Sequence, residues 1–163
     1  MSFQSWHNYG IGLSFTEFEG NCKKAGMSIT PEDIERLIEK APELQRAVHE
    51  YIQELKEDNP DAPVTIEAYE EFDRDFSLGI AYIFAETIRE AEGLSGVYAT
   101  DSYDAEDFVI FGMGYPWFMN EREKGLTREQ VVVMFLTYLR LLKPGFEDAF
   151  TVEIDEQSIE NRD

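Results

Sequence analysis

Hydrophobic positions recur along this chain with two periods, and the switches between them outline its elements. Tyr9-Gly10-Ile11-Gly12-Leu13-Ser14-Phe15 alternates with a period of two, which predicts a strand. The glycines on one of its faces point to a bulge or a close backbone approach. Between Thr16 and Ala25, Phe18 and Cys22 fall on one side of a short helix. Thr30-Pro31-Glu32-Asp33 is a helix start, with a capping hydroxyl, proline at the first position and acids in the first turn. Ile34, Leu37 and Ile38 supply the apolar stripe of that helix. Ala41-Pro42 interrupts it, because proline disfavours helical geometry in the residue before it. A second helix then runs from Pro42 with Leu44, Val48, Tyr51, Ile52 and Leu55 at helical spacing, and Asn59 to Pro63 ends it as a loop. Thr65 is placed to cap a further helix, Ile66–Phe76, on which Ile66, Tyr69, Phe72 and Phe76 share a face.

The stretch from Ser77 to Trp117 carries the strongest pattern. Ser77 is a plausible cap, Leu78 to Ala85 is apolar on nearly every side, Glu86 to Glu92 turns polar on one face, and Gly93 is a plausible stop. Two strand-like runs follow, Gly96–Thr100 and Phe108–Phe111, joined by the acidic segment 101–107. Pro116 should end the ladder. Thr127-Arg128-Glu129-Gln130 matches a capping box. The helix it opens, Arg128–Lys143, is apolar almost all round, so it belongs either in the core or against a partner, including a second copy of the chain. Phe150 to Ile154 alternates as a last strand. These elements predict one α+β domain over 1–155, a small, mostly antiparallel sheet packed by four or five helices. An acidic tail follows at 156–163.

Charge changes this picture more than composition does. The 163 residues hold 34 acids and 14 bases, a net charge of −20. Half of that net charge lies in residues 65–107, which carry 12 acids and 2 bases. Binding to nucleic acid or an anionic membrane is disfavoured, since phosphate contacts need Lys and Arg. A basic protein partner, a metal ion or plain solubility fits better. One cysteine, Cys22, allows no internal disulfide, and Met1 to Trp6 has neither the basic start nor the apolar core of a signal peptide. A cytoplasmic setting is the expectation.

Little in the chain carries reaction chemistry, and no cofactor is implied. Cys22 with His7 or His49 is the one nucleophile–base combination with a thiol, and Cys22 sits on a helix face as a core residue would. Two histidines and one cysteine make zinc improbable. Asp101, Asp104 and Asp107, with Glu106, could hold a hard cation through oxygen ligands, although the spacing is not that of an EF-hand loop. The alternative is an acidic hairpin tip left in water. Glu67, Glu70, Glu71, Asp73 and Asp75 crowd the polar face of the Ile66–Phe76 helix. Tyr115 and Trp117, with Phe118, are either interface anchors or core plugs.

Two segments, His7-Asn8-Tyr9-Gly10-Ile11-Gly12 and Gly79 to Gly93, resemble small proteins encoded by prophages and other mobile elements of Gram-positive bacteria. In its acidity and scarcity of cysteine the chain is similar in character to phage anti-CRISPR proteins. That resemblance implies an inhibitor that occupies the basic nucleic-acid groove of a nuclease, and it carries over no catalytic residue. The leading expectation is therefore a non-catalytic acidic inhibitor or adaptor acting as a nucleic-acid mimic. Its partner-facing residues would be Glu67, Glu70, Glu71, Asp73 and Asp75, the acids of 101–107, and Tyr115 and Trp117. The alternative is a metal-dependent hydrolase or nuclease using the Asp101–Asp107 turn.

Overall fold

The computed structural model describes residues 5–72, 78–112 and 119–162. Four strands form one antiparallel sheet in the order β2-β3-β1-β4: β1 Ser5–Ser14, β2 Val97–Asp101, β3 Asp107–Gly112 and β4 Asp155–Arg162. Among the described residues seven α-helices accompany it: α1 Phe15–Lys24, α2 Pro31–Ile38, α3 Pro42–Leu55, α4 Ile66–Glu70, α5 Gly79–Glu92, α6 Glu121–Lys124 and α7 Arg128–Leu142. The fold is α+β, as the hydrophobic pattern predicts. No helix among the described residues is long and apolar enough to cross a membrane.

The register explains the alternation. Ile11 and Leu13 of β1 stand opposite Phe111 and Val109 of β3, and Val97 of β2 opposite Phe111. All five join the core on the face covered by α1, α5 and α7. Phe15, Phe18, Phe84, Phe135 and Phe146 are fully buried in that core, Phe15 lying 5.2 Å from Phe84 and Phe18 meeting Phe146 edge-on at 5.3 Å. The other face holds Ile110 and Ile159, buried apart from this core. There the Tyr98 hydroxyl donates to Asn8 Oδ1 across the sheet at 3.0 Å. Gly10 and Gly12 lie on this second face, and their lack of Cβ lets β1 approach β3 closely, as their spacing suggests.

Local signals set most helix ends. Thr30 and Asp33 form a reciprocal capping box at α2, and Thr127 and Gln130 another at α7. Gly93, in the left-handed region at φ 67°, ends α5. Asp33 is buried. Burial alone would raise its carboxyl, but hydrogen bonds from Lys143, Thr30 and Arg36 outweigh that and hold it below the ordinary range. Arg36 also donates to the Leu141 and Leu142 carbonyls, which staples the end of α7 to α2.

Five sequence expectations are corrected. The last strand is not Phe150–Ile154, and 156–162 is not a tail. Phe150, Val152 and Ile154 pack against the core outside any regular element, Phe150 meeting Phe18 edge-on and Phe146 at a tilt. Asp155–Arg162 becomes β4 because the second edge of β1 takes it up backbone to backbone, from Gly12↔Asp155 to Ser5↔Arg162. The helix expected over Ile66–Phe76 ends at Glu70. Thr65 sits at its N-cap without a side-chain bond, and like charges at Glu67, Glu70 and Glu71 oppose extension. Leu78, rather than Ser77, stands at the cap of α5; Phe76 and Ser77 lie outside the described residues.

The helix number also exceeds the four or five expected, since α6 carries no apolar period. One local cap and three tertiary bonds hold it. Asn120 accepts from the Glu123 N–H and donates to the Gly93 carbonyl, and the buried Glu123 carboxylate accepts from the Ser95 hydroxyl and the Gly96 N–H.

The start of α3 shows the same reliance on distant residues. Ala41 at its N-cap has no side-chain oxygen, and Glu90 of α5 instead accepts from the Glu43 and Leu44 N–H groups at 3.0 and 2.9 Å. Glu90→Ala is expected to cost about 1 kcal/mol, the usual worth of an N-cap. Denaturant unfolding measures this, and an unchanged midpoint would mean these amides find equal partners in water.

Candidate functional site

The acidic turn between β2 and β3 is ordered by its own backbone and by one bond to β4. Ser102 N–H donates to the Glu106 carbonyl at 2.8 Å, Ala105 N–H to the Ser102 carbonyl at 2.9 Å, and Tyr103 N–H to the Glu160 carbonyl at 2.9 Å. Ala105 takes a left-handed φ of 62° to complete it. Glu106 turns inward and accepts the Ser14 hydroxyl at 2.5 Å, while the Asp107 N–H donates to Thr16 Oγ1 at 2.8 Å. The turn is thereby fixed to the start of α1. Asp101 and Asp104 remain exposed, and Asp107 is half-buried.

Asp101 and Asp107 are directly opposite in the β2–β3 register, where like charges repel. Among the described residues, no three His, Cys, Asp or Glu side chains gather as metal ligands. The weak metal candidates Asp101, Asp104 and Asp107 are therefore not brought into a metal-holding group: two form a cross-strand pair and the third stands at the tip. Cys22 is fully buried, and burial pushes its thiol up to about 11, the wrong direction for a nucleophile. His49 is exposed with Nε2 2.7 Å from Glu35 Oε2, and Glu35 also accepts the Tyr69 hydroxyl at 3.0 Å, a link among α2, α3 and α4. The side chain of His7 lies outside the described residues.

On α4, Glu67, Glu70 and Glu71 are all exposed; Asp73 and Asp75 lie outside the described residues, as do Tyr115 and Trp117. The sequence leaves the α4 acids and the β2–β3 turn as separate clusters. The structure joins them through Glu19 of α1. Burial raises the Glu19 carboxyl to about 7, and repulsion from Asp107 on one side and Glu70 on the other adds to it. Burial, then Asp101, raises Asp107 to about 6. Burial, then Glu67 and Glu71, raises Glu70. Acidic neighbours thus act on each raised carboxyl in turn: Glu67 and Glu71 on Glu70, Glu70 and Asp107 on Glu19, and Asp101 on Asp107.

A groove of about 340 Å³ opens beside Glu19 and Glu70, the two acids of this series that line it, together with Lys23, Ile29, Ile66 and Ile80. Sequence reasoning missed Glu19, although a signal was present. Four residues after Phe15 and three before Cys22, Glu19 falls at the margin of the apolar stripe of α1, where a carboxylate is drawn partly out of water.

Helix α7 spends its apolar side chains internally. Val131, Met134, Phe135, Tyr138, Leu139 and Leu142 are buried, and Val133 is its one large hydrophobic that stands exposed. The self-association surface expected on Arg128–Lys143 therefore loses the apolar stripe that motivated it.

No protein-family model matches the chain, and no significant match was found among curated proteins or solved structures.

Proposed function

We propose that this protein is a non-catalytic binding module that presents one continuous acidic face, from α4 through Glu19 to the β2–β3 turn, to a basic protein partner. The observation carrying this reading is the position of Glu19, which lines one groove with Glu70 of α4 and also feels the charge of Asp107 at the end of the β2–β3 turn. Grouped carboxylates that repel one another lower stability, and a cationic partner relieves that repulsion on binding. The finer reading makes the partner a nucleic-acid-binding protein, such as a CRISPR nuclease, whose phosphate-binding groove the carboxylates enter as an inhibitor. It rests on the resemblance of the two segments and predicts that this protein and nucleic acid exclude one another from the partner.

A charge-matched comparison tests the acidic face. Glu67, Glu70 and Glu71 are reversed to lysine in one variant, and the exposed Glu39, Glu50 and Glu129 in a second, so net charge changes equally. Binding to an arginine-rich peptide is then titrated across a salt series. The first variant is expected to lose about tenfold or more in affinity with a shallower salt slope, and the second to lose far less. Equal losses would show that net charge alone is responsible and would overturn the reading.

A further inference from the structure

The α4 helix stands between two open grooves that differ in chemistry. Ile66 and Glu70, four residues apart, face the first, where Glu19 and Lys23 of α1 form the opposite wall. Glu67, Ala68 and Glu71 face the second, a groove of about 220 Å³ whose apolar lining comes from Ile52, Leu55 and Val64. Leu55 is 43% exposed, one of only four large hydrophobics in that state among the described residues, and it lies in this groove.

Resting on the acidic-face reading, we propose that α4 is a ridge the partner straddles. An arginine or lysine side chain enters the first groove, and an apolar side chain of the same segment enters the second. Charge and shape both favour this occupant. Ile29, Ile66 and Ile80 offer the aliphatic stem of a cationic side chain an apolar bed, with the carboxylates of Glu19 and Glu70 for its head. The second groove is largely apolar inside, with Glu67 and Glu71 at its α4 wall and Lys56 at its α3 wall. Two carboxylates against one ammonium leave it net acidic, so it favours a leucine-sized side chain flanked by bases over one flanked by acids. A helix is about 10 Å across, a distance spanned by about three residues of extended chain. The recognised segment therefore has a basic and an apolar residue about three positions apart.

Two otherwise identical arginine–serine peptides test this, one of them with leucine placed three residues after a central arginine. Binding is measured by calorimetry with the full chain at about 50 and about 300 mM salt, where screening lengths differ by more than twofold. The leucine peptide is expected to bind about tenfold more tightly, with that advantage retained at high salt because apolar burial is not screened. Leu55→Ser, at an exposed position, shrinks the advantage; Ala68→Trp fills the groove and abolishes it. Both variants leave the affinity for the leucine-free peptide unchanged. Salt-dependent binding of both peptides with no leucine preference overturns the ridge and leaves the acidic face standing. A leucine preference indifferent to both variants overturns the placement. If neither peptide binds even at low salt, the acidic face itself is refuted and the ridge with it.

Discussion

Gly12→Ala is expected to lower stability by about 3 kcal/mol or more, a large share of the roughly 5 to 15 kcal/mol that holds an ordinary domain folded. A Cβ at Gly12 would stand 2.0 Å from the Val109 carbonyl oxygen, 2.7 Å from Ile110 Cα and 2.8 Å from Ile110 Cγ2. Two of these neighbours are backbone, so no rotamer change relieves the clash. Nor can β1 move aside, because it is hydrogen-bonded to β3 on one edge and to β4 on the other. Gly10 is placed alike, its added Cβ falling 2.3 Å from the Phe111 carbonyl oxygen. Gly20 in the middle of α1 supplies the contrast, since nothing lies within 4 Å of a Cβ built there. Gly20→Ala should stabilise the protein by about 0.5 to 1 kcal/mol through helix propensity and reduced freedom of the unfolded chain. Chemical denaturation of the two variants side by side checks both signs. A Gly12→Ala variant within about 1 kcal/mol of the parent would contradict the close approach of β1 to β3.

The second large expectation is that the protein becomes less stable as pH rises from 5 to 8. Glu19 moves from 4.5 to about 7 in the folded state and Asp107 from 3.8 to about 6. A carboxyl raised by folding binds its proton more tightly in the native state. Its stabilising contribution is full below the unfolded value and is lost as pH climbs through the folded value. For these two groups that loss falls between about pH 4 and 7. Glu19 is partly exposed and the two groups share one repulsion, so their joint effect is discounted to about 2 kcal/mol, or roughly 4 to 8 °C in Tm. Asp33 has the opposite sign, but its contribution is lost only as pH falls below the ordinary carboxylate range, outside this window. The groups facing Glu19 are Asp107 of β3 and Glu70 of α4, with Lys23 of its own helix along the same groove. Glu19→Gln should raise Tm at pH 8 and flatten most of the slope. General repulsion at −20 charge also grows with pH, so the difference between variant and parent is the diagnostic quantity. A Tm that rises toward pH 8, or a slope that Glu19→Gln leaves intact, would refute the clustering of these acids.

The two expectations draw on different levels of the molecule. Glycine alternation at Gly10 and Gly12 is visible in the chain as an oddity, and its meaning appears once β3 lies alongside. Repulsion at Glu19 has no counterpart along the chain at all, since Asp107 and Glu70 are remote in sequence. The acids singled out on α4 and in the 101–107 turn were legible as charge runs. Their roles were not: Glu106 is committed inward to Ser14, Asp107 is half-buried, and among the described residues Glu67, Glu70, Glu71, Asp101 and Asp104 are exposed.

The α+β class, the capping boxes at Thr30–Asp33 and Thr127–Gln130, the stop at Gly93 and the hairpin around 101–107 were determined by the amino-acid sequence alone. Each depends on contacts within a few residues or on a repeating apolar period, so the needed information is contiguous. Tertiary structure decided the rest. β4 exists because β1 had an unpaired edge, α3 is capped by Glu90 from another helix, and α6 is held by Asn120 and buried Glu123. The acidic strip closes only where α1 carries Glu19 between α4 and β3. Backbone pairing and Coulomb repulsion act through space between whatever groups folding brings together, and neither leaves a periodic trace along the chain.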